Sequence, residues 1–531
     1  MKRRFIPILA LLLVFLLFTV SVSSLLAQTQ AKPQAAPAKA KTAVPAEKPK
    51  SPAATKSAIP ASPKDLKYAP LTYTPPKAEK YRHVLSSGAI AYLVEDHDLP
   101  LVNVAVIVKT GGYLVPADKL GVGGLTGSQM RAGGTASMTA EQFDEAADFL
   151  AADIKSNMGE TSAGASLNCL TKDTDKGLAL FFDMLKNPGF QAERLTLAKS
   201  QMLQNLERRN DSTDSIENRE WTRLIRGTDH FSSRQSTKAT IESITRDDLI
   251  AFHKKYYHPD GFIFAVSGDF KTDEMIQKLE AALKGWEKRA ELVPDVPKPT
   301  TSPVPGIYMV NKSDVNQGRV AIGHLGSMRD NPDSYALSIM SDILGGGGFT
   351  SRIMTRVRSD EGLAYSAGAH YGFGVYYPGV FTAEFQSKSS TCAQAAQIVI
   401  DEIDRIRKEK VTAEELETSK NQAIEVFPRY FATAGQIAGT FAEDEYTHRP
   451  ANYWDTYRER IKNVTADDVL RVAQKYLEPD KLVVLMVGNV DDMLKGSPDK
   501  PQYAVTKLSK DSQIHRIPLP DPVTMVYPKA Q

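Results

Sequence analysis

Ile-Thr-Arg-Asp-Asp-Leu-Ile-Ala-Phe-His-Lys-Lys-Tyr-Tyr-His-Pro-Asp-Gly-Phe-Ile-Phe-Ala-Val-Ser-Gly-Asp-Phe fills residues 244–270. Val-Thr-Ala-Asp-Asp-Val-Leu-Arg-Val-Ala-Gln-Lys-Tyr-Leu-Glu-Pro-Asp-Lys-Leu-Val-Val-Leu-Met-Val-Gly-Asn-Val fills residues 464–490, a shift of 220 positions. Both stretches open on Thr and an Asp-Asp pair, a helix start with a hydroxyl cap and acids in the first turn. Both place Lys-Tyr before a Pro-Asp turn, and both follow it with a β-rich run ending at Gly268 or Gly488. Helix cap, turn and strand end match in register, which identifies an internal repeat. The sequence reads as two copies of one domain.

Each copy mixes strand and helix patterns in separate blocks. In the first, alternation predicts strands at 89–95, 101–109 and 163–170, and helices at 139–152, 176–186 and 192–209. In the second it predicts strands at 318–323, 369–374 and 380–386, and a helix at 391–408. Clustered strands with hairpin connections point to an α+β class, two homologous sandwich halves in which helices pack an antiparallel-rich sheet. Pro294, Pro297, Pro299, Pro303 and Pro305 mark a linker at 292–305. The expected divisions are therefore 71–291 and 306–515, with a tail at 516–531.

The chain begins Met-Lys-Arg-Arg and runs through an apolar stretch to Ala27, the pattern of a secretory signal peptide over 1–27. An uncleaved anchor helix is the alternative, and it would be the chain's one membrane contact. Residues 28–70 are mainly Ala, Pro, Lys, Thr and Ser, a composition that reads as a disordered tether. An exported protein of the periplasm or cell envelope is the expectation. The net charge of +2 gives no reason to expect nucleic acid as a partner. Cys169 and Cys392 fall one in each half among small and apolar residues and read as buried free thiols. Neither stands in a nucleophile context, and there is no Gly-x-Ser-x-Gly elbow.

Residues 121–135 read Gly-Val-Gly-Gly-Leu-Thr-Gly-Ser-Gln-Met-Arg-Ala-Gly-Gly-Thr. The stretch resembles the segment in which M16 peptidases (pitrilysin, insulin-degrading enzyme, the mitochondrial processing peptidase) carry an inverted zinc motif, His-x-x-Glu-His. That resemblance places the two histidines at Gly124 and Ser128 and the catalytic glutamate at Gly127. The family's third ligand, a glutamate about 75 residues on, falls on Gln204 or Asn205. Hydrogen, hydroxyl and amide cannot replace imidazoles and carboxylates as zinc ligands, and glycine cannot act as a general base. Glu207 is close by, but as one carboxylate without imidazoles it reads as a surface acid. None of the nine histidines stands in a zinc-type arrangement. No metal or other cofactor is expected in this chain.

Residues 343–366 read Ile-Leu-Gly-Gly-Gly-Gly-Phe-Thr-Ser-Arg-Ile-Met-Thr-Arg-Val-Arg-Ser-Asp-Glu-Gly-Leu-Ala-Tyr-Ser. This resembles the C-terminal half of M16 proteins, where a Gly-rich turn leads through a helix to an Arg and a Tyr seven residues apart. The resemblance implies that Arg358 and Tyr365 reach a zinc site in another half, holding substrate backbone and the developing oxyanion, and that Gly345, Gly346, Gly347 and Gly348 form a turn at a substrate cleft. The plainer alternatives are a charge at a helix C-terminus for Arg358 and a core aromatic for Tyr365.

With two halves of M16 type, the chain is similar to the short class that works as paired subunits. It is expected to be a non-catalytic subunit in a heterodimer whose zinc-bearing M16 partner cleaves extended peptides. An envelope peptide-binding or scaffold protein without peptidase activity is the alternative.

Overall fold

In the computed structural model, the described residues are Leu66, 72–508 and 513–529. The signal-peptide reading falls outside them, as does all of the tether reading except Leu66. Among the described residues, no helix is long and apolar enough to cross a membrane.

The repeated punctuation does the work its chemistry predicts. Thr245 caps the helix Arg246–Tyr256 and Thr465 caps Ala466–Tyr476, each by accepting from the backbone N–H of an Asp three residues on. Asp248 and Asp468 reach back to the capping residue's own N–H, closing reciprocal capping boxes. After the Pro-Asp turn, the chain enters a strand that lies inside a sheet and is almost wholly buried.

The first sheet is built from β1 (Arg82–Val84), β2 (Ile90–Glu95), β3 (Leu101–Val108), β4 (Asp153–Met158), β5 (Ala163–Leu170) and β6 (Phe262–Gly268). Its order is β1-β2-β6-β3-β5-β4. The second contains β7 (Gly306–Asn311), β8 (Gln317–Leu325), β10 (Ala364–Tyr371), β12 (Val380–Lys388), β13 (Val483–Gly488) and β14 (Ile514–Ile517), with β9 (Ser327–Met328) and β11 (Phe373–Gly374) pairing separately. Its order is β10-β12-β8-β13-β7-β14. Reversed, β7-β13-β8-β12-β10 has the topology of β2-β6-β3-β5-β4, including the one parallel pair, β2 with β6 and β7 with β13. The sheets differ at the outer edge, where β1 runs antiparallel to β2 but β14 runs parallel to β7. That last strand carries the second sheet to Ile517, past the expected division at 515, because its backbone completes the β7 edge.

One face of each sheet packs on its own half's helices. On β3, the alternate residues Val102, Val104, Val106 and Val108 are all buried in that core. The opposite faces are covered by exchange. The helix Thr213–Arg226 of the first half lays Ile216, Trp221 and Leu224 on Val310, Leu485 and Val487 of the second sheet. The helix Ala434–Tyr446 of the second half lays Phe441 and Tyr446 with Phe427 and Phe431 on Tyr92, Val94 and Ile263 of the first. Polar contacts fix both. Arg82 forks onto Glu445 at 2.8 and 3.1 Å, and Tyr92 donates to the same carboxylate at 2.7 Å. Arg319 pairs with the buried Glu217 at 2.5 Å and with Asp214 at 3.1 Å. The tail then returns to the first half: the backbone carbonyls of Pro520 and Val523 accept from Asn210 and Lys238, and Tyr527 donates to Glu220.

Truncating a buried aromatic in such a packed layer costs about 3–5 kcal/mol. Phe441→Ala, in the second half, is therefore expected to destabilise by that amount and to speed hydrogen exchange in β2 and β6 of the first half. Exchange mass spectrometry checks this, and protection unchanged in β2 and β6 would contradict the exchange.

Candidate functional site

The stretch 121–135 folds as a helix, Val122–Ala132, entered through Gly121 at φ 114°. Val122, Leu125 and Met130 anchor it in the first core. Two glycines within the helix, Gly124 and Gly127, face different surroundings. Gly124 is exposed, and a Cβ there would meet nothing within 4 Å. At Gly127 a Cβ would lie 2.6 Å from the Met158 nitrogen and 2.7 Å from the Asn157 carbonyl carbon, both in β4. The Ser156 hydroxyl donates to the Gly127 carbonyl at 2.6 Å, closing the contact. Helix backbone therefore rests directly on strand backbone at the position where the resemblance leads one to expect the catalytic glutamate. Ser128 is exposed and its hydroxyl turns back to the Leu125 carbonyl.

Gln204 and Asn205 are exposed on the helix Ala192–Glu207. Among the described residues, no group of three His, Cys, Asp or Glu is placed to hold a metal. The donor set does not fit zinc, and a glutamate at 127 could not be accommodated without lifting the helix off β4.

The second segment runs from the helix Ser334–Ser341 into a π-turn at Asp342–Gly346, a 3₁₀ turn at Gly348–Thr350, a short helix at Arg352–Met354 and a second π-turn at Thr355–Asp360. Such turns recur at functional sites because they displace side chains from the helical register. Gly345 corrects the sequence expectation. It is buried, and a Cβ on it would sit 2.1 Å from the Ala369 nitrogen on β10, so it serves packing and cannot touch a substrate. Gly346 and Gly348 are exposed and Gly347 half-buried.

Arg358 lies between two aromatic rings. Its guanidinium is 4.7 Å from the ring centre of Phe349 and 4.6 Å from that of Tyr365. Those rings are 68% and 84% exposed, which removes the reading of Tyr365 as a core aromatic. Tyr365 stands on the edge strand β10, at an irregularity in the pairing between Ala364 and Ala367. Stacking orients the guanidinium while leaving its N–H donors in the ring plane for an acceptor such as a peptide carbonyl or carboxylate. Sequence reading missed Phe349; the signal was an aromatic directly after four glycines, where a turn exposes it. No hydrogen bond, ion pair or ring contact among the described residues joins this stack to the helix Val122–Ala132, so the two sets of predicted residues stand apart.

The Gly-rich segment is clamped from behind. Arg352, almost wholly buried, forks onto Glu415 at 2.6 and 2.9 Å. Glu415 also closes the capping box of the helix Ala413–Val426. Burial pushes its carboxyl up, but the Arg352 fork and the Thr412 N–H together hold it down at about 2. The cysteines and the helix histidine take no part. Both thiols are free and buried, and burial pushes Cys169 up to about 11 and Cys392 up to about 12. His253 is buried against the Leu185 carbonyl, and burial lowers it to about 4.

Residues 243–423, which include the Gly-rich turn and the stack but not the helix Val122–Ala132, match the family described as the peptidase M16 inactive domain. Over those residues the chain is similar to an M16 inactive domain. It is similar to the non-peptidase homolog YmxG of Helicobacter pylori (strain ATCC 700392 / 26695), 24% identical over 402 residues, 74% of this chain and 90% of that one. It is also similar to the zinc protease PqqE of the same strain, 25% identical over 242 residues, 45% of this chain and 54% of that one. Among solved structures, the peptidase M16 inactive domain from Pseudomonas fluorescens superposes with a TM-score of 0.68 at 24% identity, covering 77% of this chain and 97% of that one. The two helix-packed six-stranded sheets are thus the M16 fold.

Two predictions test the site's packing. Gly124→Ala is expected to stabilise by about 1 kcal/mol through helix propensity, while Gly127→Ala should destabilise by more than about 2 kcal/mol through overpacking. Urea unfolding measures both, and equal effects would mean that β4 does not crowd position 127. The second concerns Glu415, whose carboxyl is lowered on folding, so its contribution is complete above the ordinary carboxylate range and is lost as pH falls toward 2. Glu415→Gln should cost about 3 kcal/mol at pH 7, with the difference from the parent shrinking as unfolding is measured at progressively lower pH.

Proposed function

We propose that this chain is the zinc-free subunit of a two-chain M16 peptidase. A zinc-bearing M16 subunit supplies the metal and the general base, and this chain supplies the Arg358 donors and the Tyr365 hydroxyl to an extended peptide. The observation that carries the reading is a contrast within one molecule. At Gly127 the helix Val122–Ala132 rests on β4 and has no space for a side chain, whereas Phe349 and Tyr365 stand exposed on either side of a half-buried Arg358. A stack kept for stability alone would bury its rings. The occurrence of both a non-peptidase homolog and a zinc protease among the similar proteins of one Helicobacter pylori strain supports a division of labour. The amino-terminal sequence adds the proposal that the pair works outside the cytoplasm.

Chemically, Arg358 would bind peptide carbonyls through its planar fork. Tyr365 would donate one hydrogen bond to an oxygen that gains charge as the peptide carbonyl is attacked. Neither residue can start the reaction, since neither is a base or a metal ligand in this setting.

The purified chain is expected to bind no stoichiometric zinc and to hydrolyse no peptide. Mixed with a zinc-bearing M16 subunit from its own source, it should form a complex with peptidase activity. Arg358→Ala should lower kcat/KM about a hundredfold, and Tyr365→Phe should lower it less, both without dissolving the complex. An active complex indifferent to both substitutions would refute the contribution of these residues. A chain that captures peptides but never associates with a zinc subunit would instead be a binding protein of the envelope.

A further inference from the structure

The tail that returns to the first half covers a group of arginines that the chemistry described above does not use. Arg209 stands in the turn between the helices Ala192–Glu207 and Thr213–Arg226, and Arg219 lies inside the second of these. Arg219 is 6% exposed; its Nε donates to Glu220 at 2.7 Å and its Nη1 to the Asn210 side chain at 2.9 Å. Arg209 donates through Nη2 to the Ser236 carbonyl at 2.9 Å. Asn210 and Glu220 in turn hold the tail, through the Pro520 carbonyl and the Tyr527 hydroxyl.

Two donors of this network are unused. Arg209 Nη1 and Arg219 Nη2 are both shut off from solvent, and neither has a hydrogen-bond partner. A buried donor left unpaired is costly, and more so on a charged group, so folded proteins seldom keep one without a use. The charges are unbalanced as well. Glu220 pairs with both Arg219 and Arg223, at 2.7 and 3.7 Å. Among the described residues no carboxylate pairs with Arg209: burial pulls its guanidinium below the ordinary range, and the neighbouring charge of Arg219 pulls it down further. Three guanidiniums thus share one carboxylate beneath the tail, and a buried charge without a counter-charge is strongly unfavourable.

A water satisfies two N–H groups but leaves the charge unbalanced. The ligand that answers both is an anion, which accepts charge-assisted hydrogen bonds from guanidinium and brings no proton that needs an acceptor of its own. Because both donors lie out of reach of solvent, a bare ion suits them better than an organic acid with a stem to bury. We propose that Arg209 and Arg219 bind a small monovalent anion of the halide class, chloride or bromide, through Nη1 of the one and Nη2 of the other. Its neighbours come from the first half and from the tail that follows β14, so binding fastens the tail to the first half. The site is separate from the Arg358 stack and does not depend on subunit pairing.

The full chain tests this in two ways. Thermal unfolding is followed at constant ionic strength while sodium chloride or bromide replaces sodium gluconate, whose anion is too large for a buried site. The midpoint should rise by about 1–3 °C for each tenfold increase in halide once the site begins to fill. Arg209→Met removes one donor and its charge, so its midpoint should be the same in halide and in gluconate. Crystals grown in bromide should show an anomalous-scattering peak within hydrogen-bond reach of Arg209 Nη1 and Arg219 Nη2. A parent midpoint indifferent to halide, a halide dependence that survives in Arg209→Met, or bromide crystals with no anomalous peak at the two guanidiniums would each overturn the proposal. The parent's response and the bromide map need no substitution, so a variant that misfolds does not decide the result.

Discussion

The structure depends on the exchange of helices between its halves. Each six-stranded sheet is apolar on both faces, and its own helices cover only one. The layer of Phe427, Phe431, Phe441 and Tyr446 on β2 and β6, and that of Ile216, Trp221 and Leu224 on β13 and β7, bury what would otherwise be two exposed hydrophobic sheet faces. Patches of that size are rarely left open on soluble domains. Neither half is therefore complete alone. The ion pairs at the two contacts, Arg82 with Glu445 and Arg319 with Glu217, settle which surface meets which. At Glu217 this comes with strain, because burial pushes the carboxyl up to about 7 against the pull of Arg319.

A rigid pair of sheets gives the two edge strands different uses. In the first half, β4 lies against the helix that resembles a zinc helix, and the backbone contact at Gly127 leaves no space for chemistry. In the second, β10 presents Tyr365 outward next to the stacked Arg358. An edge strand carries unpaired backbone groups that a peptide in extended form can join. The stack beside such an edge supports the proposed peptide contact, since an exposed cation–π pair adds only about 0.5–1 kcal/mol to stability.

What could be read from the sequence was local punctuation. Thr245 and Thr465 with their aspartates, the Pro-Asp turns and Gly268 and Gly488 act through contacts a few residues apart, so they announce the repeat without knowledge of the fold. The exchange helices were not legible. The pattern of Thr213–Arg226 shows an apolar face, but nothing local says that it belongs to the other half's sheet. The strand expected at 369–374 begins at Ala364, because exposure of Tyr365 and Ser366 at an irregular edge breaks the alternation that marks strands. Arg358 and Tyr365 were found through resemblance. Phe349 was not found, since its significance lies in a contact across a turn.

The repeat also relates the packing of the helix Val122–Ala132 to that of its counterpart in the second half. By topology, Val122–Ala132 follows β3 as Ser334–Ser341 and its π-turn follow β8, and β4 corresponds to β10. Gly127 meets the backbone of β4 at Met158, and Gly345 meets the backbone of β10 at Ala369. Both halves thus seat the same helix on the same edge strand through a glycine where a side chain has no space. The first half has the docking that the second half shows, and with helix and strand backbones in contact, any side chain larger than hydrogen at position 127 requires separating them. Only displacement of the helix from β4 would make that space, and the Ser156 bond to the Gly127 carbonyl holds against that displacement.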